Sequence, residues 1–471
     1  MEKKRENTEA PTTKQKILFG ISAIPDQMTY QAFNLFVFTY YFAVVGLGII
    51  PVMIGFIIWS LWNSFNDPII GALSDRRKYS EKWGKRKFFL IISIIPLSLM
   101  MIFLFTVPFA TDAKVVEFAY FIFIIMLFEF FYTLWDCNCN AIFPEMFPTE
   151  EERAQTNIFV KGFTVLGIIF ASLPSIILSP MAPITGTSSE LALIKANYII
   201  AGVILAVITI LGAIPFLLWG IQEKEERQED FDKRPSFFES LKTTLSNREF
   251  LKFTFANMLV WYVFNTLMMI LPLYSIHILG IGKGSFMITI SLVLALGVAA
   301  LMLPVHIKLG QKYGMRNAFM FTLTIWVGLL FPFIFLRPGD WALGITITAL
   351  QGIALSGCLF YVDILHGDVI DEDSLKYGVK RSASFYGVNA FIHRFSTILA
   401  ILTIAIVFQG TSWGNNYTVN PGVDVITSIK IIMVIFPSIG CIIAVLILSR
   451  FKLHGERLAK MREELKKANI S

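Results

Sequence analysis

The chain has 471 residues, 55% of them hydrophobic, 14% aromatic and only 16% charged, with a formal net charge of +6. Soluble domains carry about 25% charged residues, and the apolar residues here come in runs long enough to cross a bilayer, which excludes an ordinary soluble globular protein. The positive balance does not describe a nucleic-acid surface either, because the basic residues sit in short connections between the apolar runs.

In chain order, a polar segment at 1–16 leads into a run too long for a cleavable signal peptide. Apolar runs then predict twelve membrane helices, at 17–45, 51–74, 88–109, 115–147, 156–181, 192–221, 248–280, 284–308, 317–336, 341–370, 384–411 and 426–449. Odd-numbered connections carry few charges, whereas even-numbered ones such as DRRKYSEKWGKRK and KLGQKYGMRN are rich in Lys and Arg. The charged connection at 222–247 separates a first six-helix unit (17–221) from a second (248–449), and a basic tail fills 450–471. The positive-inside rule therefore predicts a multi-pass protein of the plasma or inner membrane with both termini cytoplasmic.

The two units repeat a signature between their second and third helices. The first reads Gly71, Leu73, Asp75 and Arg76, then Trp83, Lys85 and Arg86; the second reads Lys308, Gly310, Lys312, Gly314 and Arg316. Two related six-helix halves joined by a charged linker follow the parallel-repeat plan of major facilitator transporters, whose substrate site lies at the midplane between the halves. The expected fold is thus an all-α membrane protein of twelve transmembrane helices arranged as two pseudo-symmetric six-helix bundles. The basic hairpin with Asp75, Arg76 and Arg86 is expected to fix topology and to pair with other charged loops in one gating state.

Several charges fall inside the predicted helices: Asp26, Asp67, Glu129, Asp136, Lys161, Asp363, Asp368 and Arg394. Each costs about 2.5–3.5 kcal/mol near the bilayer centre, so they are expected to pair or to face water. Helical spacing gathers them with other polar groups. Asn63 and Asp67 are four apart with Asn66 beside them; Glu129, Thr133, Asp136 and Asn140 form a stripe; Gln27, Gln31 and Asn34 form another next to Asp26. Carboxylate, amide and hydroxyl oxygens on helices two and four suit a hard monovalent cation, and carboxylates with amides and a lysine suit a polyhydroxyl solute. The plainer alternatives are that Asn66 and Thr133 only bond between helices, that Lys161 only neutralises an aspartate, and that His366 and His393 are structural. Asp368, close to the end of helix ten, is expected to be a gate charge. Cys137 and Cys139 are read as small buried thiols rather than part of a metal site. No nucleophile–base pair points to an enzyme.

Asn66-Asp67-Pro68 with Gly71, Trp83-Gly84-Lys85-Arg86, Tyr132-Thr133 with Asp136, Glu152-Arg153, and Gly367 to Asp371 followed by Lys380-Arg381 together resemble the glycoside–pentoside–hexuronide:cation symporter (melibiose-permease-like) family of the major facilitator superfamily. The resemblance covers essentially the whole chain. It implies that Asn66, Asp67 and Thr133 belong to a cation site, and that Asp136 binds sugar hydroxyls with Lys161 where the family often has arginine. Either Asp26 or Gln27 stands for the family's helix-one aspartate, and Arg394 falls where a helix-eleven lysine is usual. Asn63 replaces the family's first helix-two carboxylate, leaving Asp67 as the one acid expected in the cation site, an arrangement that suits a proton as well as sodium. The aromatic expected near Asn140 is absent, and animal relatives of the family carry lysolipids, so a lipid or amphiphile cargo is the alternative. The implied function is symport of a sugar, glycoside or similar small polar solute with Na+ or H+, by alternating access. No cofactor beyond the coupling ion and no nucleic acid are expected; the partners are the solute, the cation and the lipid bilayer, for a monomeric carrier.

Overall fold

The computed structural model describes residues 11–77, 80, 83–107, 113–147, 149–178, 181–223, 245–281, 286–377 and 382–468, and among them every regular element is a helix. Most of the central connection and the basic pair Lys380-Arg381 lie outside the described residues. In the first half α1 is Thr13–Gly20, α2 Ala23–Thr39, α3 Ile49–Arg76, α4 Lys87–Phe103, α5 Lys114–Met146, α6 Glu150–Ser172 and α7 Ser188–Pro215. In the second half α8 is Arg248–His277, α9 Phe286–Tyr313, α10 Met315–Leu330, α11 Trp341–Tyr377, α12 Ser382–Gln409 and α13 Val423–Ser449, and a final α14 spans Gly455–Ala468.

Among the described residues ten helices are long and apolar enough to cross a membrane. The two other expected spans are shorter pieces: α4, and α2 continued by a π-helical turn at Tyr40–Val44. The first span is broken because Pro25 has no N–H to give to the turn before it; α1 is closed instead by Ile21 and Ser22, whose hydroxyl donates to the Phe19 carbonyl at 2.7 Å. The break leaves Asp26 in the first turn of α2, where free backbone amides favour a carboxylate. Pro96, Pro272, Pro304 and Pro437 sit inside other helices, which a bilayer protein tolerates when neighbouring helices satisfy the freed carbonyls.

Helix pairing reveals the repeat. In the first half α3 packs on α5, α2 on α6, α4 on α5 and α7, and α2 on α7; in the second α9 packs on α11, α8 on α12, α10 on α11 and α13, and α8 on α13. These are the same pairs shifted by six spans. The halves meet along α3–α12, α6–α9 and α2–α8, which the same symmetry relates. The repeated sequence signature has a physical reason too: the turns after α3 and α9 each contain a glycine in the left-handed region, Gly84 (φ 62°) and Gly314 (φ 83°), which a side chain would oppose. Two residues on, Arg86 binds Glu145 and Arg316 donates to the Leu448 and Ser449 carbonyls, so each arginine ties its hairpin to another helix end of its own half.

Among the described residues, the first helix packs by Phe19 on Phe147 just past the end of α5, and the last binds by Arg462 to Asp368 near the end of α11. Contacts between the halves gather at the opposite end: the Tyr417 hydroxyl donates to the Pro183 carbonyl (2.8 Å), the Thr289 hydroxyl donates to the Ser172 carbonyl (2.7 Å), and Phe42 packs against Phe408, Trp413 and Tyr417. Polar residues deeper in the spans, among them Asn140, Asn157, Lys161 and Asp363, are exposed. Among the described residues the halves are held together at the end of Pro183 and Tyr417, and the bundle is open toward the other end, to which these polar side chains are exposed.

Candidate functional site

Asp67 lies nine residues before the end of α3, roughly 14 Å into the bundle at 1.5 Å per residue. Its Oδ2 accepts from Nη2 of Arg394 on α12, whose Nη1 donates to the main-chain oxygen of Asn63. The Ser60 hydroxyl in turn donates to the Arg394 carbonyl at 3.2 Å. Arg394, expected as a gating residue, thus bridges the halves at the level of the expected cation site.

Glu129 completes this layer from α5. It is fully buried; Oε2 accepts from the Trp59 indole at 3.0 Å, and Oε1 accepts from the Thr133 hydroxyl at 3.2 Å. Asn66 donates from Nδ2 to the Glu129 main-chain oxygen at 3.2 Å. Asp67 and Arg394 both act electrostatically on Glu129. The amide oxygens of Asn63 and Asn66 and Oδ1 of Asp67 are buried with no hydrogen-bond partner. Asn63, Asn66, Asp67 and Thr133 therefore share one layer of oxygen donors. Sequence reasoning placed Glu129 on the same polar stripe yet expected Asp67 to be the one acid there; the structure puts a second carboxylate beside it.

A cavity of about 110 Å³ lies farther along α5, where Asp136 follows Thr133 by three residues, between the α1–α2 break and helices α5 and α6. Asp26, Asp136, Asn140 and Asn157 supply its polar lining, with Phe19, Phe143 and Val160 among its apolar walls. Gln27 donates to Asp26 Oδ2 at 2.8 Å and Asn140 to Asp136 Oδ1 at 2.7 Å, while Asp26 Oδ1 has no partner. Tyr30 and Tyr132 stack beside it with centroids 5.1 Å apart. The structure thus brings Asp26, Gln27, Asp136 and Asn140 together. Lys161 is exposed on α6, four residues on from Asn157 of the cavity, within electrostatic range of Asp363 on α11 of the other half.

The remaining gate residues are placed differently from one another. Arg86 donates to Glu145 at 2.8 Å within the first half, and the backbone amides of Lys85, Arg86 and Lys87 donate to the carboxylate of Glu223, at the start of the central connection. Asp368 is buried and accepts from Arg462 of α14 at 2.9 Å, within the second. Asp75 and Arg76 end α3, and their side chains lie outside the described residues. His393, one residue before Arg394, packs edge-on against Trp261 at 4.8 Å.

Carboxylates, amides and hydroxyls of the first half, met by Arg394 from the second, make a polar site inside an apolar bundle. Known proteins identify the bundle. The profile described as "MFS/sugar transport protein" matches residues 18–455. A putative sulfoquinovose importer of Salmonella typhimurium is 24% identical, with 96% of this chain and 92% of that protein aligned. An uncharacterised symporter of Synechocystis is 23% identical over 81% of this chain and 83% of its own length, and a sodium-dependent lysophosphatidylcholine symporter of Danio rerio is 21% identical over 88% and 81%. Among solved structures the nucleoside transporter NupG superposes with a TM-score of 0.65 at 14% identity, covering 93% of this chain and all of that one. A bacterial homologue of the lysosomal transporter Spinster, solved inward-facing, gives 0.56 at 11%, with 97% of each chain covered; these two likenesses concern the fold alone. The chain belongs to the MFS/sugar transport protein family and is a multi-pass membrane transporter, not an enzyme.

Proposed function

We propose that this transporter is a symporter that couples entry of a monovalent cation, Na+ or H+, to movement of a sugar, glycoside or similar small polar solute by alternating access. The observation that carries the reading is the adjacency of two layers on α5. One is the oxygen cluster around Asp67, Asn63, Asn66 and Thr133; the other is the cavity lined by Asp26, Asp136 and Asn140. Three residues along α5 separate Thr133 of the first layer from Asp136 of the second. Cation and solute would therefore bind close enough for each to favour the other, which is what coupling requires. Two carboxylates with neighbouring amides suit hydroxyl groups, which donate to them in charge-assisted bonds. The carrier would work as a monomer in the plasma or inner membrane, with the open end and both termini cytoplasmic.

The test is thermal unfolding of the purified protein against a panel of glycosides, sulfoquinovose and lysolipids, in sodium or choline salts and at two pH values. A ligand that binds the folded state raises the unfolding temperature by mass action. A sugar-dependent rise enlarged by sodium, or by acid, supports the reading and identifies the cation. A rise with lysolipids alone would replace the sugar by an amphiphile and move the function toward that of the lysophosphatidylcholine symporters.

A further inference from the structure

We propose that Glu129, not Asp67 alone, supplies the carboxylate whose charge the coupling cation balances; the proposal rests on the symporter reading above. The charges in the layer do not cancel. Asp67 and Glu129 bring two acids, and Arg394 brings one base, which is committed to Asp67 and to the Asn63 carbonyl. Glu129 has no share of it by direct contact: its two oxygens accept from an indole and a hydroxyl, both neutral. A fully buried carboxylate with only neutral donors is costly unless a proton or a cation neutralises it. One monovalent cation closes the balance.

The donors for that cation are in place. Asn66 is 0% and Asn63 3% exposed, and the amide oxygen of each is unpartnered. The Asn66 amide is held against α5 by its own bond to the Glu129 backbone, and the Thr133 hydroxyl donates to Glu129. Oxygen donors of this kind suit a hard cation. The charged and titratable groups facing Glu129 from the packed helices are Asp67 on α3, Arg394 on α12 and Tyr30 on α2. Asn63 lies one helical turn before Asp67 on α3, so a carboxylate substituted there would enter the same layer.

The experiment uses the full chain in detergent with the cation itself as probe. Unfolding temperature is followed against NaCl, with choline chloride holding ionic strength at about pH 8, and separately on acidifying to about pH 5.5 in choline. Wild type is compared with Glu129→Gln, Asp67→Asn and the double variant Glu129→Gln/Asn63→Asp. The expected result is a stabilisation of wild type by sodium or by acid, whichever is the coupling ion. Glu129→Gln should need about tenfold more cation or lose the response, as expected for removing one charged contact shielded from water. Returning a carboxylate at position 63 should restore it. Glu129→Gln should also fold without added cation, since a neutral amide replaces a buried charge. Should it fail to fold, Glu129→Asp, which keeps the charge one methylene short, is read in its place and should bind cation more weakly; unchanged binding overturns the proposal. If Glu129→Gln keeps the wild-type response while Asp67→Asn loses it, Glu129 is excluded and the Asp67 site stands. If neither variant changes the response, or wild type has none, both this proposal and the coupling site it extends are overturned.

Discussion

Arg394 of α12 binds the Asp67 carboxylate of α3 across the boundary between the two halves, and the same guanidinium holds the Asn63 main-chain oxygen. One side chain of the second half therefore neutralises an acid of the first while contributing to the packing that keeps the halves together at this level. Charge at Asp67 and separation of the halves become one event: anything that removes the negative charge also loosens the bridge. A carrier that must not move with only one of its passengers aboard can use such a link.

Arg394→Gln should leave Asp67 facing an uncharged amide in a partly enclosed site. Breaking a fully buried pair costs about 3–5 kcal/mol. The two side chains here are 16% and 28% exposed, so solvent screening lowers the expected loss to about 1–3 kcal/mol. The unfolding temperature in detergent should fall for Arg394→Gln and recover in the double variant Asp67→Asn/Arg394→Gln, which has no orphaned charge. A double variant as unstable as the single one would show that the ion pair is not the origin of the loss.

Asp136→Asn should weaken solute binding with little effect on folding. A hydrogen bond to a charged group contributes about 1.5–3 kcal/mol, so the dissociation constant should rise roughly ten- to a hundredfold. Asp26→Asn should act in the same direction. Because both line one cavity, the two losses should not add, and titration of the single and double variants with the stabilising sugar measures that coupling. Independent, additive losses would place the two carboxylates on separate sites.

Much of this was legible from the chain. Hydropathy predicted the all-helical membrane fold, and ten of the twelve expected spans are single membrane-length helices among the described residues, because lipid imposes length and apolarity on every crossing. The signature at Gly84 and Gly314 was visible as a repeat before its cause, a left-handed turn followed by an anchoring arginine, could be known. Helical spacing set Glu129 and Thr133 on one face. It could not show that this face meets Asn66 of α3, since that contact depends on how two helices cross. The partner of Arg394 was hidden for the same reason: 327 positions separate it from Asp67. Arg86 and Asp368 read as gate charges from their place at helix ends, yet both bind partners within their own half, a distinction that charge pattern does not carry.

Glu223 offers a test of the first half's hairpin. Its carboxylate accepts from the backbone amides of Lys85, Arg86 and Lys87, the last at the first residue of α4. It therefore caps a helix to which it is remote in sequence. Glu223→Gln keeps the shape and removes the charge, and should cost about 1 kcal/mol, the usual scale of a helix cap with a favourable dipole. The readout is the unfolding temperature. A variant that melts with wild type would mean that solvent already satisfies those amides.

The closed end supplies the last prediction. Tyr417 donates to the Pro183 carbonyl of the first half and pairs with Nε2 of His277 at 3.1 Å, while its ring and that of Trp413 cover Phe42. For the carrier to open on this side, these contacts must break. Tyr417→Phe deletes the hydroxyl and keeps the ring, removing about 0.5–1.5 kcal/mol of net hydrogen-bond energy from the state closed here. The population open at this end should then rise about two- to tenfold. A cysteine introduced by Phe42→Cys, at a position fully buried in the closed arrangement, reports on that opening through its rate of labelling by a polar maleimide. The rate should rise by the same factor when Tyr417→Phe is added. An unchanged rate in an equally stable protein would show that the aromatic packing alone keeps this end shut, with the Tyr417 hydroxyl contributing nothing to the balance.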